Sequence, residues 1–562
     1  MKMNGARILL ECLKREGVDT IFGYPGGTVI NLYDELFSFK EIRHILPRHE
    51  QAGVHAADGF ARATGKVGVA IATSGPGATN TITGIATAYM DSIPMVIVTG
   101  QVPTALIGND AFQEADIMGI TRPCTKHNFL VKDVKDLALI MKKAFYIART
   151  GRPGPVLVDL PKDVQMAQTE FHYPETVEIR GYKPTVEGHP KQVEKAVSMI
   201  LHAKKPVIYV GGGVILGNAA GELTELARRL GIPVTTTLMG LGSFPEDDSL
   251  SLGLLGMHGT YYANMAVSHC DLLIAVAARF DDRVTGKIAS FAPHAKIVHI
   301  DVDPTSIKKN VRVDLPIVGD VREVLLQMLK VTEKPDESRA DIAPWKAEID
   351  GWKAKHPMTY QQTGTVIKPQ YVIQRLRALS DPDAIVATDV GQHQMWTAQF
   401  FGFTTPRTLL SSGGLGTMGY GLPAAMGAQA AFPDRQVITI CGDGGFQMNL
   451  QELATIVQNR LNVKICILNN NFLGMVRQWQ ELFFDKRYSS TCMELPIDFI
   501  KLAEAFGATG LQATKVDEVD EVIKKGFATP GPVLMEFKIA REEKVLPMVP
   551  AGASLTEMVL AS

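Results

Sequence analysis

The sequence predicts an α/β protein: three doubly wound parallel-sheet domains in series. Two observations carry that reading. Short, almost wholly apolar runs recur along the chain, and amphipathic helical patterns separate them. Strands buried on both faces read as continuous apolar runs, as in parallel sheets covered by helices. In the first block, residues 1–168, the runs are 67–73, 95–99 and 156–160, with helical patterns over 6–15, 51–64 and 136–150. A polar stretch, 169–189, leads to a second block, 190–331, with runs at 206–210, 233–237, 272–276 and 296–301. A second linker, 332–368, is rich in Lys, Asp, Glu and Pro. The third block, 369–540, repeats the rhythm at 384–388, 437–441, 463–468 and 533–537, and a tail follows over 541–562.

Bulk properties fit this plan. At roughly 100 to 200 residues per domain, 562 residues make about three to four domains. The 57 basic and 59 acidic side chains nearly cancel and form no block, so neither nucleic acid nor an anionic membrane is an expected partner. Six scattered cysteines without a CxxC pair suit a reducing cytosol. The longest apolar runs fall far short of a membrane span, and the start of the chain reads as an amphipathic helix. The expected location is cytoplasmic.

In open parallel sheets, ligands sit beyond the carboxyl ends of the strands. Two such ends in the third block carry the sharpest motif. The run 437–441 ends in Gly442-Asp443-Gly444-Gly445, and the next run ends in Asn469-Asn470-Asn471. Asp443 offers a carboxylate and Asn470 an amide carbonyl, hard oxygen ligands suited to Mg2+, which shares its shell with phosphate oxygens and water. The glycines allow close backbone approach to a diphosphate, and a helix N-terminus favours the anion. The alternative is a strand-to-helix turn that binds nothing; the Asn pair argues against it.

This pattern resembles the thiamine-diphosphate enzymes. The resemblance implies that Phe472 adds a backbone carbonyl to the metal shell, and that a carboxyl group faces the aminopyrimidine ring of the cofactor. Glu50, in Arg48-His49-Glu50-Gln51-Ala52-Gly53, is the candidate, although a glutamate also suits any helix N-terminus. Met418 matches the bulky residue under the bent cofactor, or fills a core as Met often does. Gly391, Gln392 and His393 are expected to help hold the diphosphate, together with Gly416, Gly442, Gly444, Gly445 and Met475; His393 could equally be a structural cap.

Further motifs narrow the resemblance to the biosynthetic, FAD-containing acetolactate synthase family. They are Gly23-Tyr24-Pro25-Gly26-Gly27, Ser74-Gly75-Pro76-Gly77, Gly100-Gln101-Val102-Pro103, Phe112-Gln113-Glu114, Pro161-Lys162-Asp163 and Met475-Val476-Arg477-Gln478-Trp479. Thr28 departs from the Ala usual in plant and fungal members, which leaves inhibitor sensitivity open. In the middle block, Gly211-Gly212-Gly213 alone is as consistent with a tight turn as with a nucleotide. With Gly256-Met257-His258-Gly259, the stretch Ala278-Arg279-Phe280-Asp281-Asp282-Arg283-Val284-Thr285-Gly286, Asp301-Val302 and Gly319-Asp320, it resembles the family's FAD domain. Thr237, Leu238 and, from the first block, Arg152 complete the expected flavin contacts. Asp301 after its strand suits a ribose hydroxyl.

The resemblance implies joining of two 2-keto acids with loss of CO2. Pyruvate would give 2-acetolactate, and 2-ketobutyrate as acceptor would give 2-aceto-2-hydroxybutyrate, for valine, leucine and isoleucine synthesis. Glu50, Gln113, Lys162, Met418, Arg283 and Trp479 are the expected catalytic residues. Trp479 would contact the acceptor's alkyl group, unless it is a partly buried structural Trp. Arg283 would grip the acceptor's carboxylate with its planar fork, unless it pairs with a neighbouring Asp. Glyoxylate carboligase, which lacks the activating glutamate, is disfavoured by Glu50. Pyruvate oxidase and the FAD-free catabolic enzymes are the other relatives on this fold. A regulatory protein that had lost its chemistry would not need Glu50, Asp443 and Asn470 together. The family further implies a homodimer or homotetramer with sites between subunits, and a separate regulatory small subunit.

Overall fold

A computed structural model describes residues 2–333, 339–493 and 497–560. Parts of the expected linker (334–338) and tail (561–562) lie outside the described residues. Three six-stranded sheets follow one another, and every strand pair within them is parallel.

The first sheet runs, in spatial order, Arg43–Ile45, Thr20–Gly23, Gly68–Ala72, Met95–Gln101, Pro155–Pro161 and His127–Leu130. The second runs Ser251–Leu254, Val234–Thr236, Pro206–Val210, Leu272–Val276, Lys296–Asp301 and Leu315–Val318. The third runs Leu409–Leu410, Ile385–Thr388, Val437–Gly442, Val463–Asn469, Val533–Lys538 and Thr509–Ala513. In each sheet the chain first moves outward from one strand and then returns to that strand's other side. This creates a crevice at the point of reversal. In the third sheet the reversal lies between Ile385–Thr388 and Val437–Gly442. In the second it lies between Pro206–Val210 and Leu272–Val276.

The central strands are buried and made mostly of apolar residues, chiefly Val, Ile, Leu and Ala, which is why their apolar runs are visible in sequence. The first and third domains meet through two helices, Glu50–Thr64 and Gly421–Ala431, whose facing residues are small. A side chain on Gly59 would drive into the Ala424 carbonyl, and one on Gly427 into that of Ala56. A buried ion network crosses the same junction. Arg62 pairs with Asp58 (2.6 Å) and Asp91 (2.9 Å), and the Tyr420 hydroxyl donates to Asp58 (2.6 Å). Asp91 then accepts from the amides of Gly413 (3.1 Å) and Gly414 (2.7 Å).

Two expectations need correction. The stretch 332–368 is not merely a linker: it contains the helix Ala343–Lys355, which buries Trp345 and Ile349 in the middle domain's core. The residues after 540 are not a loose tail. Val545 is buried in the third domain, and Val549 and Leu555 are buried in the middle one. The Val549 amide donates to the Met257 carbonyl (2.8 Å), and the Lys287 amide donates to that of Ala553 (2.9 Å). The segment straps the two domains together.

Candidate functional site

A continuous cleft of about 580 Å3 runs from the carboxyl ends of the third sheet to those of the second. It has two arms. The first is lined by Gly391, Gln392, His393, Gly416, Met418, Gly442, Asp443, Gly444, Gly445, Asn470, Phe472 and Met475. The second is lined by Gly211, Gly212, Gly213, Thr237, Leu238, Met257, His258, Arg279, Asp281, Asp301, Val302, Asp320 and, from the first domain, Arg152. Arg283 and Trp479 also line it. Almost every residue expected to hold a cofactor thus falls on one surface.

The first arm is built by close approach. Strands Ile385–Thr388 and Val437–Gly442 are neighbours, so the loops after them face one another. A Cβ on Gly442 would come to 3.0 Å from His393 Nδ1, and one on Gly444 to 3.8 Å from the Met418 methyl. Asp443 heads a helical turn, Asp443–Phe446, at the strand's end. Burial pushes its carboxyl up to about 6, a penalty that a bound cation would remove. Asn470 Oδ1 accepts from the Phe472 amide (3.0 Å), which leaves one lone pair of that carbonyl oxygen available. Burial holds His393 down to about 4, so it is neutral, and its Nε2 has no protein partner. A buried polar nitrogen on a cleft wall suits a bound polar group. These features fit a diphosphate held through a divalent cation.

Sequence reasoning missed Asp389, which fixes this arm. Its buried carboxylate accepts from the amides of Val390 (2.8 Å), Gly419 (3.1 and 3.0 Å) and Gly421 (3.1 Å). Burial raises it to about 6 despite those bonds. A side chain on Gly445 would drive into Asp389, so this one carboxylate ties the Met418 loop to the Gly442–Gly445 turn. Its only sequence signal is its position just after a strand.

The second arm shows why its glycines are there. Side chains on Gly211 and Gly213 would collide with Ala277, and one on Gly212 would lie 2.9 Å from Met239 Cβ. The triple Gly thus lets the chain pass close to the Ala277 and Met239 segments, and the same stretch lines the cleft. Asp320 caps the helix Val321–Val331 by accepting from the amides of Arg322 and Glu323, and Asp281 caps Asp282–Thr285 in the same way. Gly256 and Gly259 do not line the cleft. A Cβ on Gly256 would come to 2.5 Å from the Arg283 carbonyl oxygen, and one on Gly259 to 2.7 Å from that of Leu254, so both must be bare where the turn presents Met257 and His258. His258 is held down to about 4 by burial, and its Nδ1 lacks a partner. Arg152 Nε donates to Ser92 Oγ (2.8 Å) and its Nη1 to Asp303 (3.3 Å), which joins the first domain to the second. A bare-backbone turn at a point of strand reversal, with carboxylates at the neighbouring strand ends, fits a dinucleotide.

Arg283 and Trp479 do meet: the guanidinium carbon lies 5.8 Å from the indole ring centre. Arg283 also lies 3.8 Å from Asp282, a loose exposed contact that leaves its fork available.

Glu50, Gln113 and Lys162 do not line the cleft of their own chain. Glu50 begins the helix Glu50–Thr64, and its Oε2 accepts from Asn80 Nδ2 (3.0 Å). Gln113 adopts φ of +56° against Gly75, and Lys162 opens the helix Lys162–Met166. All three lie on the first domain, beyond the carboxyl ends of its strands. Among the described residues, no three His, Cys, Asp or Glu side chains cluster as a metal site. No helix of the described residues is long and apolar enough to cross a membrane.

Comparison with known proteins identifies the class. Residues 3–120 match the N-terminal TPP binding domain of the thiamine pyrophosphate enzymes, residues 193–328 their central domain, and residues 389–537 their C-terminal TPP binding domain. The chain is a thiamine pyrophosphate enzyme by family. It is 49% identical to the acetolactate synthase large subunit of Haemophilus influenzae, over all of this chain and 98% of that protein. It is 50% identical to that of Corynebacterium glutamicum (100% and 90%) and 48% identical to the isozyme 3 large subunit of Escherichia coli K12 (100% and 99%). The chain therefore belongs to the acetolactate synthase large-subunit family.

Proposed function

We propose that this chain is an acetolactate synthase catalytic subunit. It condenses pyruvate with a second 2-keto acid, pyruvate or 2-ketobutyrate, and releases CO2. The carrying observation is the first arm of the cleft, where Asp443, Asn470, His393 and Met418 converge on one wall. When bound, thiamine diphosphate supplies the electron sink for loss of CO2 and for transfer of the remaining two-carbon unit. Asp443 and the Asn470 amide oxygen would hold Mg2+, with the Phe472 carbonyl; the glycine turns and His393 would receive the diphosphate. Met418 would support the bent cofactor, and Glu50 would hold a proton at its carboxyl against the aminopyrimidine. Trp479 and Arg283 would receive the acceptor, indole against its alkyl group and guanidinium on its carboxylate.

Glu50 lies outside its own chain's cleft, which supports a site completed by the first domain of a second copy, in a homodimer or homotetramer. Gln113 and Lys162 would enter with it. FAD is proposed for the second arm, with a structural role, since the condensation needs no net redox step. The term large subunit in the relatives' names supports a separate small regulatory partner. The reading is tested by incubating the protein with pyruvate, thiamine diphosphate and Mg2+, acidifying, and assaying acetoin by colour. Colour that depends on both cofactors is expected; its absence from folded, cofactor-loaded protein would reject the reading.

A further inference from the structure

A ligand amide must present its oxygen, not its nitrogen, to a cation. The two ends of the Asn470 carboxamide are nearly the same shape, and locally the Phe472 amide, which donates to its oxygen (3.0 Å), tells them apart. In this molecule a chain of buried amides leads away from Asn470 and ends on backbone groups whose polarity is fixed. Asn470 Nδ2 donates to Gln392 Oε1 (3.2 Å). Gln392 Nε2 donates to Gln478 Oε1 (3.0 Å) and to the Glu543 carbonyl (2.9 Å). Gln478 closes a two-bond ring with Val545: the Val545 amide donates to Gln478 Oε1 (2.9 Å), and Gln478 Nε2 donates to the Val545 carbonyl (3.1 Å). Gln478, Gln392 and Asn470 are 1%, 5% and 5% exposed, so the bonds among them are made within the protein.

A backbone N–H only donates and a backbone carbonyl only accepts, so Val545 dictates which end of Gln478 is which. Gln478 Oε1, together with the Glu543 carbonyl, then requires the amide nitrogen of Gln392. The oxygen of Gln392 therefore faces Asn470, and only the nitrogen of Asn470 satisfies it. Its oxygen is left for the Phe472 amide and the metal side. Flipping any one amide would oppose two donors or two acceptors in a buried setting, at a cost of about 1–3 kcal/mol for each unsatisfied group. Gly474 makes the chain possible, because a side chain there would drive into Gln392 Oε1 and sit 2.8 Å from Asn470 Nδ2.

We infer that Gln478, through Gln392, is a positioning residue that sets the polarity of the Asn470 amide, and that the C-terminal segment at Glu543–Val545 is its reference. This rests on the reading of Asn470 as a metal ligand. Partners that orient a metal ligand typically change metal affinity by about 10 to 100-fold when removed.

The test is Mn2+ binding, followed by electron paramagnetic resonance in the presence of saturating thiamine diphosphate, for four proteins: wild type, Asn470→Ala, Gln478→Met and Gln478→Glu. Gln478→Met keeps the side chain's length and removes the link to Val545, leaving Gln392 held by the Glu543 carbonyl alone; about a 10 to 100-fold weaker Mn2+ affinity is expected, with a lowered metal-free melting temperature but a native circular dichroism spectrum. Gln478→Glu, protonated in this buried site, keeps the acceptor for Val545 and Gln392 and a donor to the Val545 carbonyl, so its affinity should stay near wild type. Wild-type affinity in Gln478→Met, with Asn470→Ala impaired, would overturn the inference and leave the metal reading intact. Equal losses in Gln478→Met and Gln478→Glu would overturn the polarity argument. Wild-type affinity in Asn470→Ala would instead reject Asn470 as the ligand. Should Gln478→Met fail to fold, Gln392→Met, which breaks the relay one link nearer the ligand, is read against the same outcomes.

Discussion

At the residue scale, the site divides into groups that chemistry names on sight and groups that only proximity reveals. Asp443 and Asn470, the proposed metal ligands, stand out in the sequence because two strand ends each offer one hard oxygen within a short glycine- or asparagine-rich stretch, and both line the cleft. Glu50 was legible only through the motif around it. Asp389, Gln392's link to Gln478, and Gly474 were not legible in their roles, because each role depends on a segment far away in sequence: Gln478 reaches Val545 across 67 residues and Gln392 across 86. For Glu50 the expectation is direct. Glu50→Gln keeps the shape and the hydrogen bond from Asn80 but cannot carry the negative charge. Steady-state acetolactate formation should fall by at least about 100-fold, the usual scale for a positioned proton-transfer group. Turnover near wild type in folded protein would remove Glu50 from the chemistry.

At the element scale, most buried central strands were readable to within a residue or two, because burial on both faces leaves an unbroken apolar run; the short buried strand Thr20–Gly23 was not read. Pro206–Val210, Leu272–Val276 and Lys296–Asp301 have the bounds the sequence suggested. Edge strands were missed for the converse reason: Thr509–Ala513 is half-exposed, and Leu409–Leu410 has two residues. The helix Ala343–Lys355 was hidden by its charge, although Trp345, Ile349 and Trp352 stand on one helical face.

One junction between elements carries a pH dependence. Glu452, on the helix Glu452–Gln458, accepts from the Arg48 amide through both oxygens (2.9 and 3.1 Å) and thereby anchors the approach to Glu50. Burial raises its carboxyl from 4.5 to about 7, against the opposing hydrogen bonds. A carboxyl whose pKa is higher folded than unfolded binds more protons in the native state between those values. Stability from this group is therefore present at low pH and lost as pH rises from about 4.5 to about 7, by at most about 3 kcal/mol. Glu452→Gln retains an acceptor without the titration. Between about pH 5 and about pH 8, the melting temperature of wild type should fall more than that of the variant. Parallel pH profiles would show that Glu452 does not titrate in this window.

At the scale of the whole molecule, the three sheets place two arms of one cleft in a single chain but leave Glu50, Gln113 and Lys162 outside it. Apolar patterning and motif spacing do not reveal that separation, which depends on which face of the first domain packs against the third; in the sequence only the family resemblance implies sites between subunits. The helices Glu50–Thr64 and Gly421–Ala431 commit one face to the chain's own third domain. Glu50 is then available to a second copy. The most direct measurement is complementation between two disabled proteins, Glu50→Gln and Asp443→Ala, dissociated, mixed and reassembled, with acetolactate formation from pyruvate as the readout. If each site takes Glu50 from one copy and Asp443 from the other, random pairing leaves one intact site in about half of the dimers, and the mixture should recover about a quarter of the wild-type rate. A mixture no more active than its two parents, while wild-type protein taken through the same steps regains its rate, would contradict the account.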